Sequence, residues 1–305
     1  MKTAENLSWL AAGRYVSDGG LETDLIFNRG VDLPEFASFP LVEDERGRAL
    51  LRDYYDGYAA IARTAGVGLT LESPTWRANP DWGARVGYDA TELARVNRAA
   101  ISFLHQLRES YADLGDVRVI GAVGPRGDGY VAGERTDPDR AADYHRLQLE
   151  AFAAAGVDVA AAYTITTPEE GVGIARAARQ AGVPVLVGFT VETDGRLPDG
   201  TPLREAAALV EAEEAPDGFI VNCAHPTHVA PALDGGAWLD RIVQVNPNAS
   251  TLTHAELDAA EELDAGDLDL LTSSYDALRA HLPALAVVGG CCGTDARHVA
   301  ALWGV

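Results

Sequence analysis

Three cysteines are the residues of this chain whose types and positions best suit metal chemistry. Cys291 and Cys292 are adjacent in a glycine-rich stretch that follows the apolar pair Val287 and Val288, and Cys223 ends another apolar run. Zinc prefers sulfur and nitrogen donors, and three protein ligands leave a fourth position for water or substrate. The sequence therefore predicts a catalytic zinc site. Spacing alone leaves two alternatives open, a disulfide between the neighbouring thiols and a pair of inert buried thiols.

The adjacent thiols need a bent backbone to reach one metal ion. Successive side chains of a regular strand point to opposite faces, so a straight strand would separate the two sulfurs. Gly289, Gly290 and Gly293 surround the pair, and glycine adopts backbone conformations that other residues avoid. We therefore expect a turn that directs both sulfurs inward.

The elements that must position these thiols alternate between strand and helix. Short apolar runs that predict strands are followed by segments of helical periodicity, and the unit is repeated eight times in 305 residues. We expect the strands at residues 14–17, 66–72, 117–123, 157–164, 183–189, 218–223, 242–246 and from 287 onward. This pattern predicts the α/β class and a single (β/α)8 TIM barrel, with residues 1–305 as one domain. Active sites of such barrels lie at the carboxyl ends of the strands, so the sixth and eighth strands would bring the cysteines together.

Composition narrows the class of protein. With 47% hydrophobic and 23% charged residues, the chain resembles globular proteins, and three cysteines favour a reducing compartment over a disulfide scaffold. We expect no signal peptide and no membrane span, because no apolar run approaches the roughly 20 residues that a spanning helix needs. The net charge of −22 argues against nucleic acid as a partner and weakly suits a cationic small molecule, although an acidic host proteome explains it equally well. A cytoplasmic protein is the expectation, and the sequence carries no signal for its oligomeric state.

Several segments have plainer interpretations. Residues 255–271 carry many acidic side chains and are expected to form a solvated connector. His225 and His228 suggest an alternative metal set with Cys223, but Pro226 is expected to begin a helix between them, which favours surface roles for both histidines. Arg126 and Asp128 are expected to form a loop ion pair.

Five motifs, in the same order along nearly the whole chain, resemble those of the homocysteine S-methyltransferase family. They are Asp18-Gly19-Gly20-Leu21-Glu22-Thr23, Gly121-Ala122-Val123-Gly124-Pro125, Val221-Asn222-Cys223, Pro247-Asn248-Ala249 and Gly289-Gly290-Cys291-Cys292-Gly293-Thr294. The resemblance implies a zinc-dependent barrel that methylates a thiol, usually homocysteine to methionine. It implies Cys223, Cys291 and Cys292 as metal ligands at the catalytic centre. It also implies that Asp18 contacts the amino group of the substrate and that amides of Gly19, Gly20 and Leu21 lie near its carboxylate.

One position departs from the family pattern. Members usually carry Glu-Thr after the fourth strand and use that carboxylate on the substrate ammonium, whereas this chain has Tyr163-Thr164. Either the ammonium is held differently or the acceptor is not ordinary homocysteine. Glu72 could supply a replacement charge, the alternative being a solvated loop carboxylate. Tyr163 either contacts the ligand or is an aromatic residue of the barrel mouth with a hydrogen-bonded hydroxyl.

Three further residues are candidates for the site. Asn222 could orient the neighbouring ligand, and Asn248 could line the site from the seventh strand. Ordinary hydrogen bonding at a strand end is the alternative for both. Trp76 either faces a cationic donor through a cation–π contact or packs in a lid.

The resemblance thus implies transfer of a methyl group from a small donor to a zinc-bound thiol. S-methylmethionine or S-adenosylmethionine is the preferred donor, because nothing in the chain resembles a cobalamin or folate module and betaine has no residue that favours it. Two alternatives stay open. One is a zinc-dependent hydrolase, with Glu72 or Asp18 as general base, and the other is a non-catalytic barrel that binds thiols or zinc.

Overall fold

Eight parallel strands pair in sequence order and close into a barrel in the computed structural model, which describes residues 7–133 and 135–305. The strands are β1 Tyr15–Val16, β2 Gly68–Glu72, β3 Val117–Val123, β4 Val159–Ile165, β5 Val185–Phe189, β6 Gly218–Asn222, β7 Ile242–Asn246 and β8 Val287–Val288. The last strand pairs with the first, Tyr15 beside Val287. The predicted (β/α)8 barrel is confirmed, and each predicted strand lies within two residues of its expected start.

Helices surround the barrel on its outer face. The α-helices are α1 Ser8–Ala12, α2 Leu21–Thr23, α3 Glu45–Ala65, α4 Pro80–Arg85, α5 Ala90–Ser110, α6 Pro138–Ala155, α7 Pro168–Ala181, α8 Leu203–Glu214, α9 Pro226–Val229, α10 His254–Asp258, α11 Leu268–Arg279 and α12 Ala296–Trp303. None of these described helices combines the length and the apolar composition that crossing a bilayer requires.

The core has two layers, which strand β4 illustrates. Its seven residues are all buried, as is typical of a parallel strand covered on both faces. Val159, Ala161 and Tyr163 belong to the apolar cluster inside the barrel, whereas Ala160 and Ala162 pack with the residues under the helices. Side chains that alternate in this way place Tyr163 inside the barrel, near the end of the strand.

Local signals set the ends of the long helices. Helix α5 begins at a capping box in which the Asp89 carboxylate accepts hydrogen bonds from backbone amides and the Asp89 amide donates one to the Glu92 carboxylate. Its buried residues, such as Leu93, Val96 and Leu104, recur at helical spacing. Because the capping residues are short-range signals, they can be recognised in the sequence.

The segment 255–271 is more ordered than the sequence suggested. Helix α10 begins at a capping box formed by Thr253 and Glu256, and helix α11 starts at Leu268 after its cap, Asp267. The segment is exposed, as expected for a solvated connector, but only residues 259–267 connect the two helices without regular secondary structure.

Candidate functional site

The three cysteines meet at the carboxyl ends of β6 and β8. Their sulfur atoms all lie within 4.8 Å of one another, and all three are free thiols. Cys223 is buried, whereas Cys291 and Cys292 are partly exposed to the cavity. Tetrahedral zinc–sulfur bonds of about 2.3 Å place two sulfurs about 3.8 Å apart. The three sulfurs are close enough to reach that separation with small side-chain shifts, so the donor set fits zinc. Within residues 7–133 and 135–305, no other three cysteine, histidine or carboxylate side chains converge in this way.

Backbone geometry aims the sulfurs at each other. Cys223 follows β6 with a φ of 54°, which is uncommon for a residue other than glycine and is often found at functional sites. Its amide donates to Asn246 O at 2.9 Å, and the amide of Cys291 donates to Pro247 O at 2.8 Å. The turn expected at the vicinal pair is present, because β8 ends at Val288, and Gly293 then has a φ of 77°.

The three neighbouring thiols shift one another's pKa in opposite directions. Bonds from Cys291 and Cys292 hold the pKa of Cys223 well below its ordinary value. The interaction with Cys223 raises the pKa of Cys291. Together with burial, it also raises the pKa of Cys292, to about 12. The lowered pKa of Cys223 favours its thiolate, the form of cysteine that binds a metal cation.

Amide side chains surround the cluster. Asn222 Nδ2 lies 3.8 Å from Cys291 Sγ, and Asn222 Oδ1 accepts from the amide of Thr164 at 2.9 Å, which fixes the orientation of the side chain. Asn248 Nδ2 lies 3.9 Å from Cys223 Sγ. Both asparagines are thus positioned to stabilise negative charge on the sulfurs.

Glu72 is a buried carboxylate at the end of β2. Its Oε1 accepts hydrogen bonds from Ser17 Oγ and, at 2.8 Å, from Gln244 Nε2. Gln244 Nε2 also lies 3.0 Å from Tyr163 Oη. The alternative of a solvated loop carboxylate is therefore wrong for Glu72, since strands β1, β2 and β7 enclose it. The hydroxyl of Tyr163 is hydrogen-bonded within the same group of side chains.

Two carboxyl groups face the cavity in close proximity. Burial raises the pKa of Asp18 well above its ordinary value, and repulsion by Glu72 and Glu22 raises it further. Burial also raises the pKa of Glu72, against the hydrogen bonds that it accepts. Buried carboxylates of this kind are stabilised by a bound cation, and an ammonium group would supply one.

The Gly19–Gly20–Leu21 turn lies between β1 and α2 and is tightly packed. A Cβ atom at Gly19 would lie 2.6 Å from Tyr58 Oη, and one at Gly20 would lie 2.4 Å from Thr23 Oγ1. The Gly20 amide donates to Thr294 O at 3.1 Å, so it is not available to a substrate carboxylate. The expectation that the Gly20 amide binds the substrate carboxylate is therefore wrong. The same role for the amides of Gly19 and Leu21 stays a prediction.

One cavity of about 460 Å³ lies at the barrel mouth. Its lining includes the three cysteines, Asn222, Asn248, Asp18, Glu72 and Tyr163. Its wall includes part of the segment expected to be a solvated connector, namely Leu257, Asp258, Ala260, Glu262, Leu263 and Asp264. The segment is solvated as expected, but it also lines the cavity. Ser250 holds it there through a hydrogen bond to Asp264, whose carbonyl packs closely against Gly293.

The two histidines near Cys223 are buried, so the expectation of surface roles is wrong. Burial lowers the pKa of His225 to about 4, and its Nδ1 lies 2.7 Å from Thr227 Oγ1. His228 Nε2 lies 3.1 Å from Thr251 O. These contacts anchor helix α9, which begins at Pro226 as expected, and the histidines do not join the sulfur cluster.

The expected ion pair between Arg126 and Asp128 is also absent from the described residues. Arg126 instead lies 3.1 Å from Asp81. The Asp128 carboxylate accepts hydrogen bonds from the amides of Tyr130 and Val131, because it closes the turn that follows it. It therefore shapes the loop after β3.

That loop contributes a residue that the sequence did not identify. Tyr130 Oη lies 3.3 Å from Cys223 Sγ, and the ring stacks on His254 with centroids 4.3 Å apart. His254 Nε2 lies 3.1 Å from the carbonyl oxygen of Cys223, and its Nδ1 lies 2.9 Å from Glu192 Oε1. Neither aromatic residue belongs to a motif. The local signal that could have revealed ordered structure here is the capping-box pattern of Thr253 and Glu256, which was not predicted from the sequence.

Trp76 connects the loop after β2 with β4. Its Nε1 donates to Tyr163 O at 3.2 Å, and the guanidinium of Arg77 lies 4.8 Å from its ring. The indole lines the cavity. These contacts pack Trp76 into the wall of the cavity.

Comparisons with known proteins agree with this geometry. A family model described as homocysteine S-methyltransferase matches residues 15–304. The homocysteine S-methyltransferase of Escherichia coli K12 is 27% identical over 308 residues, covering 93% of both chains. Homocysteine S-methyltransferase 4 of Zea mays is 25% identical and covers 96% of this chain and 89% of its own.

Solved structures share the fold. The metallated form of the homocysteine methyltransferase MmuM from Escherichia coli matches with a TM-score of 0.74 at 24% identity, covering 98% of this chain and 99% of that one. Its oxidised form matches with a TM-score of 0.77 at 23% identity. At this identity, the likeness concerns the architecture.

Proposed function

Because the chain belongs to the homocysteine S-methyltransferase family, we propose that it transfers a methyl group from a small soluble donor to the thiol of homocysteine, giving methionine. The convergence of three sulfurs within 4.8 Å at the barrel mouth is the observation that carries the proposal. S-methylmethionine or S-adenosylmethionine is the preferred donor. The free thiols of the cluster suit a reducing compartment, which supports a cytoplasmic location.

Cys223, Cys291 and Cys292 would hold a zinc ion. When bound, the ion would supply the positive charge that keeps the thiol of the acceptor deprotonated near neutral pH. Asn222 and Asn248, at 3.8 and 3.9 Å from two of the sulfurs, would stabilise the negative charge of the cluster. Because Asn222 is fixed by Thr164, it would not have to reorganise during the reaction.

Asp18 and Glu72 would bind the ammonium group of homocysteine. Both carboxyl groups line the cavity and are buried, and neither forms a salt bridge with a described residue. Family members usually bind the substrate ammonium with a glutamate at the position that Tyr163 occupies in this chain. In our proposal, Glu72 takes over that role. Tyr163 and Gln244 would orient Glu72 through the hydrogen bonds that connect them. The amides of Gly19 and Leu21 would receive the substrate carboxylate.

The methyl group would move by in-line displacement. An electron pair of the acceptor sulfur forms the new bond to the methyl carbon, and the old bond to the onium atom breaks with its electron pair. The donor thereby leaves as a neutral thioether. The walls formed by Trp76 and Tyr130 would align donor and acceptor and exclude water, and such alignment supplies much of the rate acceleration.

Product analysis by mass tests this proposal. Zinc-loaded, reduced protein is incubated with ¹³C-labelled homocysteine and, separately, with S-methylmethionine, S-adenosylmethionine, betaine and methyltetrahydrofolate. The carbon label distinguishes methionine made from the acceptor from methionine released by a donor. We expect labelled methionine with one of the two sulfonium donors and none with a Cys292→Ser variant. No labelled methionine with any donor would contradict the proposal and favour a hydrolase or a non-catalytic barrel.

A further inference from the structure

Arg77 lies in the wall of the cavity between two indole rings. Its guanidinium carbon is 4.8 Å from the ring centroid of Trp76 and 3.4 Å from that of Trp82. Nε and Nη1 are buried and have no hydrogen-bond partner, and no described carboxylate lies within 4.0 Å of the guanidinium. Since a buried donor without a partner costs free energy, this arrangement points to a ligand.

The acidic neighbours of Arg77 are engaged elsewhere. Glu35 forms an ion pair with Arg85 at 3.1 Å. Glu22 accepts a hydrogen bond from Ser38 Oγ at 2.6 Å, and Asp128 accepts one from the Tyr130 amide at 2.7 Å. These carboxylates act on Arg77 only at longer range, whereas burial lowers its pKa. The positive charge of Arg77 is therefore not neutralised by direct contact.

The indoles also fix the direction of the guanidinium. A planar guanidinium stacked on aromatic faces presents its N–H groups in one plane, which matches the two oxygens of a carboxylate. Lysine would lack this geometry, because its ammonium is a point charge on a flexible chain. Arg77 is therefore suited to bind a planar anion such as a carboxylate through two hydrogen bonds.

Arg77 and the cysteine cluster give the cavity two oppositely charged ends. The Trp76 ring lies against Gly129, the residue before Tyr130, whose hydroxyl is 3.3 Å from Cys223 Sγ. Arg77, Trp76, Tyr130 and the cysteines line the same cavity. A molecule with an onium group at one end and a carboxylate at the other would fit in one orientation, with its methyl group toward the sulfurs.

We propose that Arg77 binds a carboxylate of the methyl donor, so that the site selects zwitterionic onium donors over cations without a carboxylate. This inference rests on the proposed methyl transfer and names the donor class for that site. Homocysteine is the other source of a carboxylate, but the proposed function already assigns its charged groups to residues at the ends of β1 and β2. Arg77 instead lies on the loop after β2, beside Trp82.

Donor analogues test the inference. We expect kcat/KM of the wild-type protein to be about 10- to 100-fold higher with S-methylmethionine than with its carboxamide, the range for hydrogen bonds between charged groups. In Arg77→Gln, KM for S-methylmethionine should rise by a similar factor, and the preference over the carboxamide should disappear. KM for homocysteine should stay unchanged, and Arg77→Lys should recover part of the loss. Arg126→Gln is the matched control, since the Arg126 side chain pairs with the exposed Asp81 and does not line the cavity.

A binding measurement separates this inference from the methyl transfer itself. Quenching of tryptophan fluorescence on titration with S-methylmethionine follows binding without any turnover, because two of the five tryptophans, Trp76 and Trp82, line the cavity. Carboxylate-dependent binding that is lost in Arg77→Gln, with no methionine formed, would support the subsite while contradicting the proposed function. Equal binding of the carboxylate and the carboxamide, no binding of either, or an effect of Arg77→Gln on homocysteine alone would overturn the inference.

Discussion

Replacing Glu72 with glutamine removes one negative charge from the cavity and nearly preserves the shape of the side chain. The new amide oxygen can accept the hydrogen bonds that Ser17 and Gln244 donate to Oε1. We therefore expect the barrel to fold normally. The main loss should be in the binding of the substrate ammonium, which Glu72 shares with Asp18 in our proposal.

The size of the loss follows from the charge on both partners. A hydrogen bond between charged groups contributes about 1.5–3 kcal/mol, and about 1.4 kcal/mol corresponds to a factor of ten. For Glu72→Gln, KM for homocysteine should therefore rise roughly 10- to 150-fold. The change in kcat should be smaller, because the ammonium is bound alike in the ground state and the transition state.

The same substitution should have the opposite effect on stability without substrate. Burial raises the pKa of Glu72, and Glu72 in turn raises the pKa of Asp18. A carboxyl group with a raised pKa in the folded state contributes stability that is present at low pH and is lost as pH rises through the folded pKa. From about pH 4.3 upward, the free energy of unfolding should thus decrease more in the wild type than in Glu72→Gln.

Two assays measure these effects. Initial rates with homocysteine are compared with rates for 4-mercaptobutyrate, which has the thiol and the carboxylate but no amino group, and only the homocysteine KM should respond to Glu72→Gln. Urea unfolding of substrate-free protein at acidic and neutral pH gives the stability. An unchanged KM for homocysteine, or an equal loss for both thiols, would refute the role of Glu72 in ammonium binding.

Two further substitutions examine how the cysteines are held. Gly290→Ala would place a Cβ atom 2.1 Å from Thr294 Oγ1. It should therefore destabilise the turn by about 1–3 kcal/mol and weaken zinc binding in a chelator competition assay. Gly127→Ala is the control, because its added Cβ atom meets no atom within 4 Å. His254→Ala removes the contact to the Cys223 carbonyl and should cost about 1–3 kcal/mol in urea unfolding, with faster loss of zinc to a chelator; unchanged stability and zinc release would show that His254 does not position Cys223.

Features with local sequence signals could be predicted from the chain. The strands are short apolar runs, and the glycines around Cys291 and Cys292 indicated a turn, which is present after Val288. Once the barrel was inferred, its topology placed Cys223 beside the vicinal pair. Each of these inferences depends on neighbours in sequence or on one general rule of the fold.

Features that depend on distant contacts could not be predicted. Glu72 is enclosed because Ser17 and Gln244 reach it from other strands, which no spacing reveals. His228 is buried because Thr251, 23 residues later, accepts its hydrogen bond. Tyr130 reaches Cys223 across 93 positions of sequence. The side chains that complete the site around the cysteines therefore appear only in the folded chain.

Metal analysis of freshly purified, reduced protein tests the central claim most directly. If the three sulfurs form a zinc site, wild-type protein should contain about one zinc ion per chain, since three cysteine ligands suffice for a catalytic site. Cys291→Ala should lose both the zinc and the methyl transfer while keeping the circular dichroism spectrum of the barrel. Wild-type protein that binds no zinc under reducing conditions, or a Cys291→Ala variant that keeps its metal and its activity, would contradict the account.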